Sequence, residues 1–452
     1  MKPISNAWES GLFGGIRGRK KRLKTKLLHS VCAMLIAAVM AAAGTAYGAA
    51  APAAYRIVTL GDSLAVGYEP GMTEKSVPYG YSERFREQAL FHGRASAANY
   101  GILGLRTEGL IRLLQGAEEG KTLKAADIQD FSMYADDRIT AMADGVGAKT
   151  AALKKSLESA NVVVITIGGN DFGDFVKQLQ PMSNTDAEAA LANDFITRLN
   201  KYTEEAENAL RLTASLAPHA RILLADQYLP LPKFFAPDLY DMLYDKAVVP
   251  LSGKVNELAA KLQGEGIDVL PVSIYGLFKG KEGSLTHMAI SLDGSTPPDI
   301  HPTQAGYETI AQAFAKAMWG EYRKPAARAT GVPFSVVVSG REWKTAIKPV
   351  LKNAVAYASA ADLAKALGAE LKWDAKKKTA VFKTKTRTVT LVADGKTQTM
   401  TVGAAKTKLA APAFQQKVGK DNKPFVPLTA VAASLQYEAV YSSQLQTYFL
   451  NP

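Results

Sequence analysis

The sequence predicts an α/β fold, a parallel sheet with helices on both faces, followed by a smaller α+β domain. Three observations predict it. Five short apolar runs recur at residues 56–60, 95–100, 161–167, 220–225 and 267–272. Between them, residues 81–90, 151–160, 186–216 and 251–262 carry apolar residues at helical spacing. Past residue 333 the composition turns to β-branched residues, lysine and short helical stretches. Strands that alternate with helices pair in parallel, because the crossover helices cover the sheet from both sides.

The chain opens on a leader-like segment, residues 1–50. Arg17, Arg19, Lys20, Lys21, Arg22, Lys24 and Lys26 precede an apolar stretch at 31–43 and small residues at 46–50. That order describes a secretion signal, with cleavage expected after Gly48 or Ala50. The apolar stretch falls short of the ~20 residues that span a bilayer, so no permanent membrane anchor is expected. The single cysteine, Cys32, lies in this segment. A processed chain would hold no disulfide, no thiol nucleophile and no cysteine metal ligand. The expectation is a secreted, extracellular or wall-associated protein.

The first strand ends in Gly61-Asp62-Ser63-Leu64. Glycine permits a tight turn there, and the coming helix aims its backbone N–H groups at whatever binds. The stretch 186–216 is the clearest helix, with Ala190, Leu191, Phe195, Leu199, Tyr202, Ala206, Leu210 and Leu216 near one face. The connections at 115–149 and 227–250 have no simple period. The second is rich in aromatics and proline, which suits either the wall of a substrate cleft or a cover over one sheet face. A helix at 304–319 closes the first domain, 51–322, and a linker is expected at 323–333.

Charge is uneven. Residues 1–48 carry eight Lys+Arg against one Asp+Glu, and residues 331–452 carry 18 against 7, giving +7 and +11. The total of +12 leaves −6 for residues 49–330. In an exported chain, a basic rear domain points to an anionic wall polymer or membrane surface, and no nucleic-acid partner is expected. A merely solvated lysine-rich surface fits the same count.

Four blocks stand where strands end. They are Leu60 to Leu64, Asn99 to Thr107, Ile167-Gly168-Gly169-Asn170-Asp171, and Pro298-Asp299-Ile300-His301-Pro302-Thr303. In open parallel sheets the site lies at the carboxyl ends of strands. A serine hydroxyl becomes a nucleophile when an imidazole takes its proton, and a carboxylate then orients the imidazole. The oxyanion that follows needs preorganised donors, each worth on the order of 3 kcal/mol. Ser63 is the candidate nucleophile and His301 the candidate base. The N–H groups of Ser63 and Gly104, with the Asn170 side chain, are candidate donors. Asp62 and Asp171 read as capping or loop-bracing acids. No His-x-x-x-His or equivalent cluster supports a hydrolytic metal.

These blocks, in this order, resemble the SGNH hydrolase family, the GDSL esterases and lipases, over roughly residues 55–320. Its named Ser, Gly, Asn and His fall on Ser63, Gly104, Asn170 and His301. The resemblance implies a flavodoxin-like three-layer α/β/α sandwich, hydrolysis of carboxylic esters through an acyl-Ser63 intermediate, and no metal or cofactor. Acyl lipids, small esters and acetylated glycans all fit as substrates. One position departs from the pattern. Family members place an aspartate three residues before the histidine, where this chain has Pro298. Asp299 is the first candidate partner for His301, with Asp293 or a backbone carbonyl as alternatives.

Residues 334–452 show a weak internal repeat. Leu367-Gly368-Ala369-Glu370-Leu371-Lys372-Trp373-Asp374 and Phe425-Val426-Pro427-Leu428 mark two copies of strand, amphipathic helix and hairpin. They resemble the copper amine oxidase N-terminal-like stalk domain, a module appended to exported proteins of Gram-positive bacteria. Residues 331–452 hold no His and no Cys, so a copper site is not expected. Spacing, adhesion or wall contact is the role the resemblance suggests, and a surface-binding protein with a weak hydrolase in front is the competing reading of the whole chain.

Overall fold

The computed structural model describes residues 54–452, except 74, 135, 180 and 289–298. The expected signal segment, Asp293 and Pro298 lie outside the described residues. Residues 52–452 form one compact unit.

Five strands build the front sheet: β1 (Ala54–Gly61), β2 (Arg94–Asn99), β3 (Val162–Thr166), β4 (Arg221–Ala225) and β5 (Val269–Val272). Their order is β2-β1-β3-β4-β5, and every pairing is parallel. β3 is buried along its whole length, which explains its unbroken run of valine, isoleucine and threonine. The chain reverses direction across the sheet between β1 and β3, and that switch point opens a crevice at the carboxyl ends.

Helices cover both faces. On the way along the chain they include α1 (Ser63–Val66), α2 (Tyr81–Leu90), α3 (Thr107–Glu119), α4 (Thr150–Ser159), α5 (Gly169–Leu179), α6 (Asn184–Ala190), α7 (Ile196–Leu216), α8 (Pro237–Leu243), α9 (Val249–Gly264) and α10 (Gln304–Trp319). One core cluster sits between the sheet and α3, α4, α7 and α9, and a second between the sheet, α2 and α10. This is the three-layer α/β/α arrangement expected from the sequence.

Two helices are not regular. A π-helical turn, Leu191–Phe195, joins α6 to α7, and another, Tyr244–Val248, joins α8 to α9. In the second, the N–H of Val249 bonds to the carbonyl of Tyr244, five residues back. Pro250 follows at once and has no N–H to offer the preceding turn, so the helix widens there. The first π turn contains no proline, and its sequence does not explain it.

The rear domain is β-rich. Its strands are β6 (Ser335–Val338), β7 (Arg341–Glu342), β8 (Val350–Lys352), β9 (Val355–Ser359), β10 (Glu370–Asp374), β11 (Thr379–Lys383), β12 (Thr388–Val392), β13 (Thr399–Val402), β14 (Ala405–Lys408), β15 (Phe414–Val418), β16 (Asp421–Pro427), β17 (Glu438–Ser442) and β18 (Thr447–Asn451), in three small sheets of order β10-β11-β12-β13-β14, β15-β16-β9-β8 and β17-β18-β6-β7. The repeat is visible as β9 (Val355–Ser359), α11 (Ala360–Ala366), β10 (Glu370–Asp374) and β11 (Thr379–Lys383), then β16 (Asp421–Pro427), α12 (Leu428–Ser434), β17 (Glu438–Ser442) and β18 (Thr447–Asn451).

The segment 323–333 has no helix or strand, yet it is pinned. Gln88 on α2 donates to the carbonyl of Arg323 (2.8 Å) and accepts from its N–H (2.7 Å). The Arg323 guanidinium lies 4.8 Å above the Phe91 ring and donates to the Gly340 carbonyl. Val337 on β6 (Ser335–Val338) and Phe449 on β18 belong to the same core cluster as α2 and α10, and Phe449 meets Phe91 edge-to-face at 4.9 Å. Asn451 donates to the carbonyls of Leu90 and Gly93, satisfying groups that the end of α2 leaves over. The rear domain thus shares a core with the front domain instead of hanging from it.

Candidate active site

Ser63 is the first residue of α1, immediately after β1. The turn that places it needs Gly61: φ there is +131°, and a Cβ would sit 1.9 Å from the Thr166 carbonyl oxygen. Asp62 is the N-cap of α1, accepting from the N–H of Leu64 at 3.0 Å. Its carboxyl is fully enclosed, and burial pushes its pKa up to about 7, with the nearby Asp171 adding to the rise.

His301 precedes α10 and is held from several sides. Its Nδ1 lies 2.6 Å from Oδ1 of Asp299, and the same oxygen accepts the His301 N–H at 2.8 Å. A spacing of two residues is therefore enough: the chain folds into a tight Asx-type turn that sets carboxylate and imidazole side by side. Burial raises the Asp299 pKa, but the hydrogen bond and charge of His301 outweigh it, and the net shift is downward. The Tyr68 ring meets the imidazole edge-to-face at 4.6 Å. Tyr228 donates to the Ile300 carbonyl at 2.8 Å, and the His287 N–H donates to the His301 carbonyl at 3.0 Å.

Asn170 is the second residue of α5. One of its two amide hydrogens goes to the Leu105 carbonyl at 3.0 Å, which leaves the other for a ligand. The Gly104 loop is fixed beside it. Gln129 and Tyr134 donate to the Gly104 carbonyl at 2.9 and 3.2 Å. Gly104 has φ of +72°, and a Cβ would lie 2.5 Å from the Tyr134 ring. Asp171 accepts from both the N–H and the hydroxyl of Thr107 at the start of α3, bracing this loop against α5. Burial raises the Asp171 pKa to about 7 as well.

Ser63, Asn170 and His301 line one cavity of about 270 Å³, with Asp299 behind the histidine. Gly104 is not on the cavity wall; it reaches the site through Leu105 and Tyr134, which touch Asn170. Much of the remaining described wall is apolar, built by Phe172, Phe175, Phe195, Leu243, Val248 and Leu251. The connection 227–250 does form part of it, through Tyr228, Leu229 and Pro230, whereas Phe234 and Phe235 face solvent. Sequence reasoning missed Tyr68, Gln129, Tyr134 and the phenylalanines of α5. Phe172 and Phe175 follow Asn170 closely, and that proximity was the one signal for them. Among the described residues, no group of three or more His, Cys, Asp or Glu could hold a metal ion.

Fold and site together describe a hydrolase with a serine at a strand end. Residues 57–314, more than half of the chain, match the family model of the GDSL-like Lipase/Acylhydrolase, and the chain belongs to that family. Membership supports a hydrolase of esterase or lipase type. Residues 337–450 match the copper amine oxidase N-terminal domain. Among solved structures, the chain is similar to the lipase Lip_vut3 from a goat rumen metagenome, with 16% identity over 59% of this chain and 99% of that one, and a TM-score of 0.37. It is also similar to phospholipase A1 from Streptomyces albidoflavus NA297, with 16% identity over 60% and 100% and a TM-score of 0.36. A third is a two-domain esterase active on acetylated mannans, with 15% identity over 61% and 53% and a TM-score of 0.31. The family assignment rests on residues 57–314, not on these likenesses. No curated protein matches the chain in sequence.

Proposed function

We propose that this protein is a secreted serine hydrolase of carboxylic esters that works through an acyl-Ser63 intermediate. One observation carries the reading: Asp299 holds the His301 imidazole at 2.6 Å on a cavity wall that also presents Ser63 and Asn170. With Nδ1–H given to Asp299, Nε2 is the free base. It takes the Ser63 proton as Oγ attacks the ester carbonyl. The oxyanion is met by the Ser63 N–H and by the second Asn170 N–H, with the Gly104 loop holding Asn170 through Leu105 and Tyr134. Collapse breaks the ester C–O bond, and His301 gives its proton to the departing alkoxide. A water molecule then attacks the acyl group, again with His301 as base, which frees the acid and restores Ser63. Ser63→Ala should abolish hydrolysis of p-nitrophenyl butyrate while circular dichroism stays as in the parent; turnover at the parental rate would remove the reading.

A second reading concerns the rear domain, and an exposed sheet face favours it. With β12 (Thr388–Val392), β13 (Thr399–Val402) and β14 (Ala405–Lys408), strands β10 and β11 form a meander. One register row reads Lys372, Val381, Thr390, Thr401, Lys406. Lys383 and Lys408 extend the charge, and among the described residues no carboxylate lies within ion-pair distance of Lys383, Lys406 or Lys408. We read this face as contacting an anionic polymer. Retention of the full chain on purified cell walls should fall with salt and with a Lys383/Lys406/Lys408→Ser triple variant; retention blind to both would count against it.

A further inference from the structure

The reading above leaves the acyl group open. We infer that the cavity is built for an unbranched acyl chain of intermediate length, and that two facing π-helical turns set its width and depth. The inference rests on the ester-hydrolase reading of the same cavity.

Among the described residues, the charged or amide-bearing side chains lining the cavity are Asp62, Asn170, Gln227, His301 and the exposed Lys177, with the Ser63 hydroxyl beside them. Most of the remaining described lining is aromatic and aliphatic. Phe172, Phe175 and Phe195 are each less than a tenth exposed, as are Leu243, Val248 and Leu251. A sugar needs hydroxyl partners along its length, because a buried hydroxyl without one is costly. Among the described residues, the apolar part of this wall offers none. A methylene chain needs only apolar area, and each CH₂ it buries adds to its binding.

The far wall comes from the irregular helices. Phe195 ends the π turn Leu191–Phe195, and Ala247 and Val248 end the π turn Tyr244–Val248. The two turns pack against each other. A π turn adds one residue to a helical turn, so the helix bulges and the residues after it change face. Here the bulge of one helix brings Ala247 and Val248 to the cavity wall, while that of the other brings Phe195. Ala247 is the small residue between larger neighbours, so it marks where the chain would have room. The volume of about 270 Å³ is near the low end for small-molecule sites, which favours a chain of intermediate length over a long one.

Chain-length selectivity tests this. Rates on p-nitrophenyl acetate, butyrate, octanoate and palmitate are measured per active site, counted by fluorophosphonate titration. The parent should show kcat/KM rising from acetate to octanoate and falling by palmitate. Ala247→Trp should cut the octanoate-to-acetate ratio at least tenfold. Phe195→Ala should move the optimum toward longer chains, and it decides the matter if the tryptophan variant does not fold. A parent that prefers acetate, or ratios that stay within twofold in both variants, would overturn the inference. Neither outcome touches the ester-hydrolase reading, which stands or falls with Ser63→Ala.

Discussion

At the scale of single residues, the site depends on a few atoms held at fixed positions. Asn170→Ala removes the proposed oxyanion donor and should lower kcat by about 10²–10³ with little change in KM. Asp299→Asn replaces the acceptor for Nδ1–H with a group that can present an amide hydrogen, and should lower kcat by roughly 10³–10⁴. The two enclosed carboxyls act on stability instead. For Asp62 the folded pKa is about 7 against a reference of 3.8, so between those values the folded state binds more protons than the unfolded state. Stability therefore falls as pH rises through that window, and the penalty remains in full above it. Asp62→Asn, which keeps an oxygen to cap α1, should flatten this loss, read as urea midpoints at about pH 5 and about pH 8. Asp299 has the opposite sign: its lowered pKa contributes stability that is lost as pH falls through the folded value. That Ser63, Asn170 and His301 would meet was legible in the sequence because loops after parallel strands collect at one edge of the sheet, and all three line one cavity, whereas Gly104 lies off its wall. Asp299 was the first candidate partner of His301 and does lie 2.6 Å from it, although Asp293 and a backbone carbonyl stayed open, since a spacing of two or three residues has meaning only once the turn is built. Tyr134 was invisible for the same reason, being 30 residues from the glycine whose carbonyl it holds.

At the scale of elements, the strands and the regular helices were legible because apolar periodicity reports burial directly. The helix expected over 186–216 is present, but it begins at Asn184 and is interrupted at Leu191–Phe195. A π turn hardly alters the apolar pattern over a few residues, so no periodicity argument could find it. Pro250 was the one written sign of the second turn. Pro250→Ala would return an N–H to the helix and allow ordinary hydrogen bonds across it. The variant should melt higher, as a helix-interior proline costs about 3 kcal/mol before compensation, and its chain-length profile should change. Both are read from one preparation by thermal denaturation and the ester panel. The link between α3 and α5 offers a separate test. Thr107→Val deletes the hydroxyl partner of Asp171 while leaving the backbone bond. It should loosen the Gly104 loop, lowering kcat more than it raises KM.

At the scale of the whole molecule, the rear domain was expected beyond a linker, and nothing in the sequence showed how closely it would sit. Its contacts with α2 use Phe449, Asn451 and the pinned Arg323, residues that a composition count cannot distinguish from surface ones. Residues 52–452 should therefore unfold in one calorimetric transition, and Asn451→Ala should destabilise the whole by about 1–3 kcal/mol by stranding two carbonyls of the front domain. Two separated transitions would show that the shared core is weaker than its packing. The position of that shared core has a further consequence. It gathers Phe91, Arg94 and the end of α10, all at the amino ends of the front strands, whereas Ser63 and Asn170 stand at the carboxyl ends. The protein is gripped by its back. The rear domain and the cavity therefore sit at opposite ends of one sheet: among the described residues, none beyond His301 lines the cavity, so a change at the rear can reach Ser63 only through the strands themselves.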